Sequence, residues 1–252
     1  MVRLAGWLLL CGLTAPLSAQ SADPLRFVRW TADDVGAFAR GAASTKSAIL
    51  VGAVGSGVLL ASRFDRYLAG HAEDLSDRIP LRARRILHEA GNVDMVRPLA
   101  VVVFLGSLTS GNEYFQDAAF TSLEAVVYAN LITRAIKFAA GRARPNEGVG
   151  PGRFIPFSGA RSMPSGHATT IIAFTTPWLL YYPGVVSAVL FTLGTGTALM
   201  RMADRYHWFS DVMAGGFIGA GTGWWLSRRH KRLAAIPLLS VSQAGLRLSV
   251  KL

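Results

Sequence analysis

The chain has 252 residues, a length that fits one domain. Hydrophobic residues make up 51% and charged residues 16%, with a mean hydropathy of +0.35; an average soluble domain carries about 25% charged residues, so the balance points to a membrane protein or an unusually large core. The net charge of +11 comes mostly from arginines between apolar segments, with no lysine-rich tail or basic amphipathic helix, and this favours phosphate groups or lipid head groups over nucleic acid as partners.

The chain opens "MVRLAGWLLLCGLTAPLSAQSADP". Arg3, an apolar run to Leu13, a proline and small residues through Ala19 and Ala22 follow the pattern of a secretory signal peptide over 1–22, with an uncleaved anchor as the alternative. Either points to export from a bacterial cytoplasm. Cys11 is the single cysteine, so no intramolecular disulfide forms, and bulky Leu10 before it argues against a lipoprotein site.

Residues 23–94 form an N-terminal helical region: a short interfacial helix over 23–46, an apolar segment at 47–62, and an Arg-rich helical excursion over 63–94 containing "RIPLRARRILHEAGN". Further apolar segments follow at 95–110, 118–136, 168–182, 185–200 and 211–227, within a domain spanning 95–232. These segments fall short of the roughly 20 residues that cross a bilayer comfortably, but adjoining residues lengthen several, and their Gly, Ala, Ser and Thr content permits close helix packing. A soluble bundle of buried helices has a similar signature. Residues 141–162 read as a Gly/Pro-rich loop, and "RRHKR" at 228–232 ends the last helix. The tail, 233–252, alternates apolar and polar residues as half of a small β-hairpin would, or frays. The predicted fold is an all-α helical bundle.

Three clusters carry chemistry. In "KFAAGRARP", Lys137 and Arg144 are two turns apart and share a face if the helix extends that far, and two cations on one face suit a phosphate dianion. Pro145 pushes Arg144 to an extended conformation. In "RSMPSGHATT", Ser165 is a good N-cap, Gly166 lets a ligand approach the backbone, and the free amides of the following helix make an anion site with His167 at its rim. In "MRMADRYHWFSDVMAGG", the spacing puts His207 and Asp211 on one helical face, where the carboxylate fixes the imidazole tautomer, and Arg201 is near enough to hold the same anion. Each cluster alone has an ordinary structural reading: interface anchors, a helix cap, a chance pair.

Read in order, Lys137-x6-Arg144-Pro145, Pro164-Ser165-Gly166-His167 and Arg201-x5-His207-x3-Asp211 resemble the three signature motifs of the type 2 phosphatidic acid phosphatase (PAP2) superfamily, which includes vanadium haloperoxidases and bacterial class A acid phosphatases. The resemblance covers about residues 95–230, with one departure: Met200 stands where the third motif usually has serine. It implies His207 as nucleophile, Asp211 as its orienting group, and His167 as general acid and then base. Lys137, Arg144, Ser165, Gly166 and Arg201 would bind the phosphate. No metal or other cofactor is implied, and no convincing metal-ligand spacing is legible. The implied activity is hydrolysis of a lipid phosphate or pyrophosphate at the membrane surface through a phosphohistidine. The alternatives are a soluble periplasmic acid phosphatase, a vanadium-dependent haloperoxidase, or a non-enzymatic lipid binder, against which the full Lys/Arg/His/Asp set argues.

Four alternating crossings between 118 and 227 bring the three clusters to one surface. The positive-inside rule puts "RRHKR" in the cytoplasm and the clusters on the periplasmic side of a bacterial inner membrane. Three apolar stretches precede residue 118, and if all cross, the clusters face the cytoplasm. The expectation is that 47–62 packs against the bundle without spanning. The sequence does not define the oligomeric state.

Overall fold

The polar and aromatic stretch after residue 24 begins a run of helices that continues to residue 235. In the computed structural model, residues 25–235 are described except 91 and 160; the signal or anchor over 1–22 and the tail hairpin lie outside them. We label the helices α1 (Leu25–Ala42), α2 (Thr45–Ser62), α3 (Asp65–Arg78), α4 (Leu81–Ala90), α5 (Val93–Ser107), α6 (Glu113–Ala140), α7 (Gly166–Tyr181), α8 (Val185–Ala203) and α9 (Phe209–Ala235). Among the described residues there is no strand, only an isolated bridge between Arg142 and Phe154. The architecture is all-α, and α9 carries "RRHKR" inside the helix rather than ending on it.

The core lies between α6, α7 and α9. Small residues of α6 (Ala118, Ala119, Ala125, Ala129) and Ala173 of α7 are fully buried beside Phe115, Phe174, Trp178 and Leu226. A stripe of glycines lets α9 press against α7. A Cβ on Gly215 would stand 2.4 Å from the Ser165 carbonyl oxygen, one on Gly219 2.6 Å from that of Thr169, and one on Gly223 2.8 Å from Thr176 Cβ. The spacing of four keeps all three on one helical face. This stripe fixes the start of α9 against the start of α7, where two of the three clusters sit.

Chain direction then assigns ends. Tyr114 at the start of α6 donates to the carbonyl of Tyr181 at the end of α7 (2.6 Å), and Lys231 late in α9 donates to the carbonyl of Leu180 (2.8 Å). The opposite end, the mouth, collects the C-termini of α6 and α8, the N-termini of α7 and α9, and the loop 141–165. Helix α3 also starts at the mouth, because buried Asp65 accepts from the Ser210 amide (2.8 Å). Leu68 and Ala72 of α3 pack with Ala198 and Met202 of α8.

Helix α2 differs from expectation. Thr45–Ser62 and Val185–Ala203 are the two helices among the described residues that are long and apolar enough to cross a membrane, yet only 11% of the α2 window is buried. Its buried residues are Val58 and Ala61, near the mouth. Gly52, Gly55 and Gly57 have no neighbour within 4 Å of an added Cβ, so they serve no close approach. The helix packs against α9 along a narrow stripe and leaves most of its apolar surface exposed.

Candidate active site

The first cluster is built by a helix end, not by a helix face. Gly141 terminates α6 in the left-handed conformation (φ 54°, ψ 42°). A Cβ there would stand 1.7 Å from the Ile155 carbonyl oxygen, so only glycine fits. Arg144 lies beyond this turn, extended at φ −84° and ψ 158° ahead of Pro145. The expectation that Lys137 and Arg144 share a helical face is corrected: the loop returns Arg144 to the mouth. There the Arg144 guanidinium stands over the Tyr206 ring (5.6 Å), and Arg201 stands over the same ring (4.3 Å). Lys137 Nζ donates to the carbonyls of Arg161 (2.6 Å) and Ser162 (3.4 Å).

The second cluster is the N-terminus of α7. Ser165 caps it, its Oγ accepting from the Ala168 amide at 3.4 Å. Ser165 is fully buried, and its own amide donates to the Asp211 carbonyl (2.9 Å). An alkyl carbon of Lys137, Cε, lies 3.8 Å from where a Cβ on Gly166 would stand, so the first cluster meets the second. His167 is half-buried in the first turn of α7.

The third cluster spans the turn from α8 to α9. His207 precedes α9, which begins at Phe209, so its proximity to Asp211 comes from this turn and not from a shared helical face. The His207 amide donates to the Arg201 carbonyl (3.2 Å), and Arg201 pairs with Asp204 (3.6 Å). His207 Nδ1 is buried without a hydrogen-bond partner, 3.8 Å from Asp211 Oδ2. That separation is too long for a hydrogen bond and short enough to close into one when a ligand settles the ring.

Asp211 is held by residues that the sequence reading missed. Its Oδ1 accepts from Arg142 Nη1 (2.6 Å), and its Oδ2 accepts from Ser162 Oγ (2.5 Å) and the Trp208 amide (2.9 Å). Arg142 is almost wholly buried and also pairs with Asp65 (2.7 Å). Its remaining donors reach Ser210 Oγ (2.8 Å) and the Pro151 carbonyl. Ser210 Oγ in turn donates to Asp65 (2.7 Å). The signal for Arg142 was in view, since it lies inside "KFAAGRARP". Asp65 has no sequence signal: it is 145 residues from Ser210.

The electrostatics follow from this burial. Burial lowers the Lys137 ammonium to about 8, against the pull of Asp211, with Arg144 and Arg161 adding to the fall. Burial also pushes the His207 imidazole below its ordinary value; Asp211 opposes this, while Lys137 and Arg144 reinforce it. The environment of His207 thus favours the neutral imidazole, which keeps one ring N–H, over the imidazolium. Beside the cluster lies a cleft of about 320 Å³ lined by Arg66, Pro145, Gly148, Val149, Gly150, Arg205 and Trp208.

Residues 118–234, which supply most of this geometry, match the PAP2 superfamily. They resemble a PAP2 domain. A lipid A 1-phosphatase of Rhizobium johnstonii is 38% identical over 100 residues, which is 38% of this chain and 41% of the relative. A PA-phosphatase related-family protein of Dictyostelium discoideum is 30% identical over 145 residues, 50% of this chain and 54% of that protein. A lipid A 1-phosphatase of Porphyromonas gingivalis is 30% identical over 102 residues, 38% of this chain and 21% of the relative. The chain thus spans about two fifths of the Rhizobium protein and about half of the Dictyostelium one. No solved structure matches significantly. Asp65 and Arg66 lie outside the matched residues, so the N-terminal region contributes to the mouth.

Proposed function

We propose that this protein is a membrane-embedded phosphatase that hydrolyses a lipid phosphate or pyrophosphate through a phosphohistidine on His207. The observation that carries the reading is the meeting, at one end of the bundle, of a buried imidazole, the carboxylate behind it and cations from two further segments. In the reaction, His207 Nε2 attacks phosphorus and a P–N bond forms as the bond to the leaving oxygen breaks. His167 gives that oxygen its proton. His167 then takes a proton from water, the resulting oxygen attacks phosphorus, the P–N bond breaks, and inorganic phosphate leaves. Asp211, fixed by Arg142, Ser162 and the Trp208 amide, accepts the Nδ1 proton's hydrogen bond and stabilises the charge on the ring. Lys137, Arg144, Arg201 and the first amides of α7 at Gly166 neutralise the phosphoryl oxygens as negative charge builds. Ser165 acts through its cap, because its hydroxyl is wholly buried.

The substrate class follows from the position of the mouth at the bundle's end and from the names of the relatives. A lipid A 1-phosphate is the leading candidate; phosphatidic acid, phosphatidylglycerophosphate and undecaprenyl pyrophosphate fit the same chemistry. The cleft lined by Arg66 and Arg205 offers room and charge for a polar head group beside the phosphate. On the far side, Arg228, Lys231 and Arg232 are exposed, which favours the cytoplasm for that end and the periplasm for the mouth. This orientation has α2 crossing toward the periplasm and α5 returning, with α1 on the cytoplasmic side, and so sets aside the reading of 1–22 as a cleaved export signal or a spanning anchor. Reporter fusions after residues 43 and 150 should read cytoplasm and periplasm respectively; the reverse pair would invert the placement.

The substrate test is phosphate release by the purified full chain in detergent over these four lipids and a water-soluble phosphate ester. Release from one or more of the lipids, at a kcat/KM at least tenfold above the soluble ester, is the expected result. Equal or faster turnover of the soluble ester would favour a general acid phosphatase, and bromide oxidation with peroxide and vanadate would favour a haloperoxidase.

A further inference from the structure

Far from the mouth, α1, α6 and α9 bury a second set of ionisable side chains that the phosphatase reading does not use. Asp34, Glu124 and His230 approach one another so closely that one ligand atom from each lies within 4.8 Å of the others. Asp34 and His230 are fully buried and Glu124 is 5% exposed. Asp34 Oδ2 lies 2.7 Å from His230 Nε2, and Glu124 Oε2 lies 3.4 Å from the same nitrogen. Neither Glu124 oxygen has a hydrogen-bond partner.

Hydrogen-bond arithmetic fixes the histidine tautomer. The single hydroxyl proton of Thr121 goes to the Asp117 carbonyl (2.6 Å), so the Thr121 oxygen accepts from His230 Nδ1 at 2.8 Å. Nδ1 therefore carries a proton, and Nε2 points toward two carboxylates. A lone pair there would face negative oxygens in a dry interior, so either a proton on Nε2 or a metal ion must stand between them. Arg229, bonded to the other oxygen of Asp34, balances one carboxylate and leaves Glu124 uncompensated. We propose that Asp34, Glu124 and His230 form a binding site for a divalent transition metal, with Zn²⁺ the best fit.

The donor set of one imidazole nitrogen and two carboxylate oxygens is one that zinc accepts. The surroundings match those of metal-binding histidines. Nδ1–H is tied to Thr121, Trp30 stacks on the ring at 4.6 Å, and Phe120 lies at 5.6 Å, which orients the ligand and keeps out water. Two ligands on a tetrahedral zinc stand about 3.3 Å apart. The Glu124–His230 separation already has that value, and Asp34 must withdraw from the ring by about half an ångström on loading. The competing occupant is a proton on Nε2, making a buried imidazolium.

The test uses the full chain in detergent. Metal analysis of protein expressed with zinc present should find about one zinc per chain. After stripping with a chelator, added ZnCl₂ in hundredfold excess over its dissociation constant should raise the melting temperature by about 5–10 °C. E124Q, close in shape to the native side chain, should lose most of that rise. No zinc in the wild type together with no zinc-dependent shift would assign the site to a proton and overturn the proposal, as would an equal rise in E124Q. Neither readout depends on phosphate release, so this proposal and the phosphatase reading fail independently.

Discussion

Two buried charge clusters sit toward opposite ends of α9, one around Asp211 and one around His230. At the mouth, one guanidinium, Arg142, lies between Asp65 and Asp211, and two serines and two backbone amides supply further donors to the carboxylates. At the far end, Asp34 has Arg229 and His230, but both oxygens of Glu124 lack a donor. The first cluster is complete in protein atoms alone, and such a network holds one geometry. The second is balanced only by a positive charge at His230 Nε2, a proton or the metal ion proposed above. Satisfaction of Asp211 at the mouth suits a carboxylate that must stay in place for His207, whose own Nδ1 still lacks a partner; incomplete satisfaction of Glu124 suits a site that takes something up.

The largest effect that separates the two ends is on stability. Arg142→Met leaves Asp65 and Asp211 buried without their shared cation, and should cost about 3–5 kcal/mol. Glu124→Gln in chelator should change stability by about 1 kcal/mol or less, since neither Glu124 oxygen has a hydrogen-bond donor to lose. Thermal melts of both variants in detergent check the pair. A larger loss for E124Q than for R142M would reverse the contrast.

A smaller effect tests how the mouth is assembled. Gly219→Ala pushes a methyl against the Thr169 carbonyl and the Ala173 amide, which lie 2.6 and 2.8 Å from the added carbon. Overpacking should cost about 1–3 kcal/mol, although alanine is the better helix former. A melting temperature equal to or above wild type would mean that α7 and α9 do not need this contact.

The smallest effect is on pH dependence. Lys137 is charged below about 8 and loses its charge as pH rises through that value, so KM for a lipid phosphate should rise about tenfold per unit above pH 8. On the acid side, the proposed attack needs a neutral His207, and burial lowers its pKa, so the loss of kcat/KM should come at a lower pH than an ordinary histidine would give. A KM that is flat from pH 7 to 9.5 would detach Lys137 from the phosphate.

The sequence was most informative where chemistry is local. The Ser165 cap, the extended Arg144 before Pro145 and the loop 141–162 were all legible, because each depends on neighbours a few residues away. It was less informative about geometry. Lys137 and Arg144 were placed on one helix face, but Gly141 ends α6 between them; His207 was placed on α9, but the helix starts after it. Asp65 was invisible because its partners are distant in the chain, and for the same reason the Asp34–Glu124–His230 cluster has no spacing to read. Helix α2 touches α9, as expected of 47–62, but its glycines serve no close approach, since an added Cβ at Gly52, Gly55 or Gly57 meets nothing. In each case tertiary proximity decided what local pattern could not.

The central claim is that His207 is the atom-bearing nucleophile of the mouth. It is tested most directly by measuring phosphate release from the lipid phosphate that wild type turns over, using His207→Ala protein shown by its melting curve to be folded. A loss of kcat of at least about a thousandfold is expected. Turnover by that variant within tenfold of wild type would contradict it.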